Sequence, residues 1–327
     1  MTQARKRLID LSSTPYYHCI ARCVRRAFLC GECHLTGNSY EHRKQWVADR
    51  LTTLSRIFAI DIAAYAVMSN HYHLVLRVDE DKALNWSDTN VIRRWGSLFS
   101  IPPIIRMSQQ KDASPAVIHK AQELIQTWRS RLMSISWFMR CLNEHLARKA
   151  NIEDQCTGRF WEGRFKSQAL LDEAAVLTAM TYVDLNPIRA KIAKTPESSS
   201  YTSIRQRILE LLNKPKEHSI KLMTLSSSTQ QSHKNAIQFS NNDYLNLVDW
   251  SGRIIRQGKQ GYVSAGAPPI LERLNLNTKG FVSVLKRDDD IAGLNALGSP
   301  TALNHFIEKQ KRSFVKGIRL SKTLFQY

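Results

Sequence analysis

Apolar residues recur along the chain at two periods, and the switches between them order its elements. From Tyr16 to Val24 the run YYHCIARCV is rich in β-formers and predicts a first strand. Over residues 41–58, Trp46, Val47, Leu51, Leu54 and Phe58 fall at helical spacing, which predicts an amphipathic helix. Ile60 to Met68 and His71 to Val78 read as two strands joined by Ser69-Asn70, a hairpin-like connection. The order so far is β-α-β-β, the opening of a ferredoxin-like split unit. Residues 135–150 form a strongly periodic helix, and residues 158–171 are expected to be extended and to return to the sheet. Asp172 to Asn186 predicts a helix stopped by Pro187, with Val176, Ala179, Met180 and Val183 as its buried stripe.

The pattern divides the chain. Residues 10–205 carry the strand and helix order above, interrupted at 79–134 by a polar insertion with helical pieces. A helix is expected from Tyr201 to Leu212. Residues 213–240 are rich in Ser, Gln and Lys without periodicity and read as a linker, and 241–327 form a basic extension with apolar residues of its own. The expected fold class is α+β: a ferredoxin-like or RRM-like antiparallel sheet with packed helices, a mainly helical insertion and a C-terminal extension.

Charge narrows the partner. Lys plus Arg total 47 against 28 Asp plus Glu, a formal charge of +19. Such an excess favours a polyanion, because Lys and Arg neutralise phosphates and release condensed counterions. The excess is spread over segments that contain Trp, Tyr and Phe, as expected of a folded binder rather than of a basic tail. The longest apolar stretch, Ile57 to Met68, is interrupted by Asp61 and too short to span a bilayer, and the N-terminus lacks an apolar signal core. A cytoplasmic, nucleoid-associated protein is expected. Six cysteines in a reducing compartment are expected to be free thiols; Cys30-Gly31-Glu32-Cys33-His34 has a zinc-knuckle flavour but lacks a matching second pair.

Two motifs carry chemistry. In Asn70-His71-Tyr72-His73-Leu74 the strand alternation puts His71 and His73 on one face, with Cα atoms about 6.5–7 Å apart, an arrangement suited to a divalent metal. An isolated His-x-His is more often two polar residues on a solvated strand face. In Tyr182-Val183-Asp184-Leu185-Asn186-Pro187 the phenol and the carboxamide lie one helical turn apart on the flank of the apolar stripe. Alone, Asn before Pro is an ordinary helix stop. Together the two motifs define a site: two imidazoles and the Asn186 amide oxygen as ligands for a Lewis-acidic metal, and Tyr182 beside them as a nucleophile toward phosphorus.

Here the chain resembles the HUH single-tyrosine transposases, and within them the REP-associated tyrosine transposases. The resemblance rests on the His-x-His strand followed by a helix with Tyr-x-x-x-Asn-Pro. The opening YYHCIARCVRRAFLCG, the segment GRFWEGRFKS and the run ESSSY at 197–201 support it. It covers roughly residues 10–205. It implies His71, His73 and Asn186 as metal ligands, Tyr182 as the nucleophile forming a 5′-phosphotyrosine intermediate, and Mg²⁺ or Mn²⁺ as cofactor. Its implied substrate is hairpin DNA of the repeated extragenic palindrome type with adjacent single-stranded bases. The protein would be a monomer or homodimer. The insertion at 79–134 and the extension after about residue 205 depart from the compact family pattern.

The DNA path is expected along GRFWEGRFKS, where Arg159, Arg164 and Lys166 meet phosphates and Trp161 stacks on a base, and beside the first strand at Arg22, Arg25 and Arg26. Two other classes compete: a non-catalytic hairpin-DNA-binding regulator that keeps the fold, and an RRM-like RNA binder. The second leaves the His-x-His and tyrosine pairing unaccounted for, and the first strand lacks an aromatic RNP signature.

Overall fold

The three strands expected before residue 79 form at nearly the expected bounds, whereas of the extended segment expected over 158–171 only Lys166–Leu170 joins the sheet. The computed structural model describes residues 8–24, 29–32, 37–214, 219–226, 237–257, 266–286, 293–311 and 313–325. It opens with β1 (Tyr16–Arg22), α1 (Arg43–Ile57), β2 (Ile60–Val67) and β3 (His71–Val78). The insertion is helical: α2 (Glu80–Leu84), α3 (Asp88–Gly96), α4 (Pro103–Met107) and α5 (Pro115–Leu132). Then come α6 (Ile135–Glu153), β4 (Lys166–Leu170), α7 (Glu173–Asp184), α8 (Asn186–Arg189) and α9 (Ser203–Leu211). The C-terminal part adds α10 (Asn241–Gln257), α11 (Pro269–Arg273), α12 (Thr278–Lys286), β5 (Ala296–Leu297), α13 (Pro300–Lys309) and α14 (Ile318–Leu324).

The strands form one sheet in the order β2-β3-β1-β4-β5, antiparallel except for the β4–β5 pair. The fold is α+β with a mostly antiparallel sheet, as the sequence predicts. Alternation sorts the side chains. Tyr17, Cys19, Tyr72, Leu74, Leu76 and Ala169 face one way, into a core shared with Leu51 and Leu54 of α1 and Phe138 and Leu142 of α6. Val75 and Leu170 face the other way, into a second core with α7. His18, Ile20 and Arg22 of β1 share that second face with His71 and His73, by the same alternation.

The tyrosine helix departs from expectation. The sequence predicts burial of a stripe alone, yet Ala174 to Asp184 are buried without a gap. The cause is a second partner: α7 lies on β2, β3 and β4 and is covered from behind by α10 and α12. Leu177, Met180 and Tyr244 belong to one cluster with Phe281 and Leu285. The helix also does not simply stop at Pro187. It breaks at Leu185 and resumes as α8, where Pro187 stands in the first turn and its missing N–H costs no helical bond.

The C-terminal part, expected as a basic extension over 241–327, supplies β5 beside β4 and, through α10 and α12, the cover on α7. Cys19, Cys23 and Cys30 are buried thiols, and burial pushes Cys30 up to about 12. Cys33 and His34 lie outside the described residues. Among the described residues no helix is long and apolar enough to cross a membrane.

Candidate active site

Register brings the polar residues of three strands together. Arg22 of β1 sits opposite His71, Ile20 opposite His73 and Lys166, and His18 opposite Gln168. The His71 and His73 rings are 4.9 Å apart between centroids, at 74°. The Nδ1 of His71 is 2.6 Å from Asn70 Oδ1, an acceptor that keeps the proton on Nδ1 and leaves a lone pair on Nε2. His73 is buried. Its Nε2 is 2.7 Å from the side-chain nitrogen of Asn186, and its Nδ1 is 2.9 Å from Nε2 of His18.

Tyr182 lies on the same floor. Its ring meets His73 edge-on at 5.9 Å and His18 at 6.1 Å, and the Arg189 guanidinium carbon sits 4.0 Å over its face. A guanidinium over an aromatic ring contributes about 0.5–2 kcal/mol and fixes the ring plane. Tyr182, Asn186 and Arg189 follow one another at i, i+4 and i+7, so one helical face carries all three.

These residues line a cleft of about 610 Å³ with Arg22, Arg164 and Lys166 on its walls. Glu162 is the acidic residue among its lining groups. Burial is the main cause that holds His73 well below the ordinary histidine range, and the neighbouring His71, His18, Arg189 and Arg22 push the same way. Burial also lowers His18 to about 4. Both rings are therefore neutral at physiological pH, the state in which imidazole ligates metal.

The donor set fits a divalent ion. Among the described residues no cluster of three or more His, Cys, Asp or Glu is placed to hold a metal. Here two neutral imidazoles would be joined by the Asn186 amide, which presents oxygen after a half-turn of its terminal torsion, with oxygens of substrate and solvent completing the shell. Imidazole ligation suits Mn²⁺ better than Mg²⁺, whose preference is for oxygen.

Seven of the predicted residues meet in this cleft: His71, His73, Tyr182, Asn186, Arg22, Arg164 and Lys166. Two do not. Arg159 is turned into its own loop, with Nε donating to the Trp161 carbonyl at 2.8 Å and a terminal nitrogen donating to the Glu162 carbonyl. Trp161 is packed in the core, edge-on to Tyr72, with its indole N–H donating to the Asn143 carbonyl at 2.8 Å, a placement that leaves no face for a base. Arg25 and Arg26 lie outside the described residues. Sequence reasoning missed His18, Gln168 and Arg189. His18 was within reach, since it stands two and four positions before Ile20 and Arg22 on a recognised strand.

No family model matches the chain, and no curated protein matches it. Among solved structures it is similar to a REP-associated tyrosine transposase bound to a REP hairpin. The identity is 11%, the coverage 68% of this chain and 100% of that one, and the TM-score 0.38.

Proposed function

We propose that the chain is a metal-dependent single-tyrosine DNA transesterase that cuts and rejoins single-stranded DNA beside a hairpin. One observation carries the reading: His71 and His73 from one strand and Tyr182 and Asn186 from one helix converge in a single cleft with basic walls. The Tyr182 oxygen attacks the phosphorus of a bound strand and becomes esterified to the 5′ phosphate. The bond to the 3′ oxygen breaks, and the phenol's proton passes through solvent to the departing 3′ hydroxyl. The phosphotyrosine keeps the energy of the broken ester, so a 3′ hydroxyl can reverse the step without a nucleotide cofactor. His71, His73 and Asn186 would hold a divalent ion, Mn²⁺ or Mg²⁺, which would supply Lewis-acid polarisation of the phosphodiester. Arg22, Arg164 and Lys166 engage the backbone, and Arg189 holds the Tyr182 ring.

Tyr182 is 1% exposed, which favours a threaded single strand over a duplex and also gives the competing reading, a hairpin-binding regulator without chemistry, its one support. A labelled hairpin oligonucleotide with single-stranded flanks separates them. With Mn²⁺, the protein is expected to form an adduct that survives a denaturing gel, and Tyr182→Phe to lose it while still binding. An adduct persisting in Tyr182→Phe refutes the nucleophile. Tight binding with no adduct across a randomised flank library establishes the regulator.

A further inference from the structure

The polar residues behind His73 form a chain that the transesterase chemistry does not itself require. Gln168 Oε1 is 3.3 Å from His18 Nδ1, His18 Nε2 is 2.9 Å from His73 Nδ1, and His73 Nε2 is 2.7 Å from the Asn186 amide nitrogen. The two imidazoles meet edge to edge, their centroids 5.2 Å apart and their planes 19° from parallel. Gln168, His18, His73 and Asn186 are all buried. Four groups come from four elements, β4, β1, β3 and α8.

A chain of this kind has a direction. A neutral imidazole carries one proton on one nitrogen, so each ring donates at one end and accepts at the other. The carbonyl of Gln168 can only accept, so the proton of His18 sits on Nδ1. His18 Nε2 is then a lone pair and takes the proton of His73 Nδ1. That leaves Nε2 of His73 as a lone pair, which the Asn186 N–H meets. Without metal both ends agree, Gln168 presenting its oxygen and Asn186 its nitrogen; Gln168 alone fixes the direction once the Asn186 amide turns to offer its oxygen to an ion. The reverse direction needs both amides turned over, and it puts N–H on His73 Nε2, where no cation can be ligated.

We infer that His18 and Gln168 are positioning residues that fix His73 in the Nδ1–H tautomer and so aim its Nε2 lone pair at a divalent ion in the cleft. The inference rests on the metal reading of the cleft. Partners behind a ligating histidine fix its tautomer and orientation, and their loss typically weakens metal binding about 10–100-fold. His18 is the residue that transmits the direction: its Nε2 must accept. A glutamine side chain places its terminal atoms near that nitrogen and can accept from His73 Nδ1–H, whereas leucine cannot.

Two measurements on the full chain test the relay. Long-range ¹H–¹⁵N spectra of ¹⁵N-histidine-labelled protein, without metal, report which nitrogen of His73 carries the proton. Titration with Mn²⁺ followed by electron paramagnetic resonance reports affinity. The wild type is expected to show the Nδ1–H tautomer at His73. His18→Leu and Gln168→Met should weaken Mn²⁺ binding about 10–100-fold and let the His73 tautomer mix, while His18→Gln restores both towards the wild type. Unchanged melting temperatures separate these effects from misfolding, and should His18→Leu fail to fold, Gln168→Met and His18→Gln carry the comparison. An Nε2–H tautomer in the wild type, or Mn²⁺ affinity unmoved in the folded Gln168→Met protein, overturns the relay. If the wild type binds no Mn²⁺ at all, the metal reading fails, and the relay as an aid to metal binding falls with it. A fixed Nδ1–H tautomer would then show only a structural hydrogen-bond chain.

Discussion

Asp184 sits midway between Tyr182 and Asn186 and points away from both. Its Oδ1 accepts from the Ser203 hydroxyl at 2.5 Å and the Ile204 backbone N–H at 2.9 Å, and its Oδ2 accepts from the Tyr244 hydroxyl at 2.5 Å. All of these groups are buried. Asp184→Ala strands the Ile204 N–H and the Tyr244 hydroxyl and leaves Ser203 only the Tyr65 carbonyl, 3.4 Å away, and a buried unsatisfied donor costs about 1–3 kcal/mol. Allowing for partial relaxation, the loss should be about 3–6 kcal/mol, a large part of the 5–15 kcal/mol typical of a domain. Asp184→Asn keeps the oxygen for Ser203 and Ile204 and asks only that the Tyr244 hydroxyl turn from donor to acceptor, at a cost of about 1 kcal/mol.

The same carboxyl gives a pH signature with a definite sign. Burial raises it from 3.8 to about 6, against the opposing pull of its three hydrogen bonds and Arg207. A group whose folded value lies above its unfolded one stabilises fully below the unfolded value, and the contribution is lost as pH rises through the folded value. Wild-type stability should therefore fall between pH 4 and 7 by about 2 kcal/mol from this group alone. Asp184→Asn has no such group, so its urea-unfolding free energy should lack that decline. The assay is the difference between the two proteins at pH 4.5 and pH 7.5, in which other titrating groups cancel. Parallel pH profiles for wild type and Asn, or a loss under about 1 kcal/mol in the Ala variant, would refute the reasoning.

The cleft walls and the core tryptophan give two more tests. Arg22→Ala and Lys166→Ala should each weaken binding of single-stranded DNA and lower the slope of log affinity against log salt by about 0.7, the value for one phosphate no longer neutralised; unchanged slopes would remove these residues from the DNA path. Trp161→Ala should destabilise the protein by about 3–5 kcal/mol in urea unfolding. At temperatures where the variant is folded its DNA affinity should stay within threefold of the wild type, and a selective loss of affinity would return Trp161 to a stacking role.

The strands were legible because their pattern is written locally. His71 and His73 alternate with Leu74 and Leu76, and the face they share follows from the period of two whatever packs against it. The tyrosine helix was legible as a helix but not as a buried one, since its cover comes from Tyr244 and Phe281, sixty or more positions away, and no local period encodes that. The inward placement of Trp161 was not legible for a related reason: basic and aromatic residues alternate in GRFWEGRFKS whether the aromatics stack on bases or on Tyr72, and the Asn143 carbonyl that takes its indole N–H lies on α6. His18 escaped notice because its meaning is a matter of register. A histidine in a strand gains significance only when Gln168 is its neighbour on one side and His73 lies diagonally across on the other.

Register and helical phase together explain why a short segment can hold so much of the site. Tyr182, Asn186 and Arg189 fall on one side of the α7–α8 segment, and Asp184 falls about half a turn away on the other. The first three meet His73 and the cleft; the fourth is bonded into α9 and α10. Pro187 lets this segment step at Leu185 without an unsatisfied N–H, so Asn186 reaches His73 while Asp184 stays anchored. The Asp184 anchor and the cleft residues thus lie on opposite sides of the α7–α8 segment. A change that loosens the anchor should shift nucleophile, amide and guanidinium together, whereas a change in the cleft should alter one of them and leave the fold intact. Asp184→Ala and Tyr182→Phe are the two ends of that contrast: the first should lower stability and adduct formation in parallel, the second adduct formation alone.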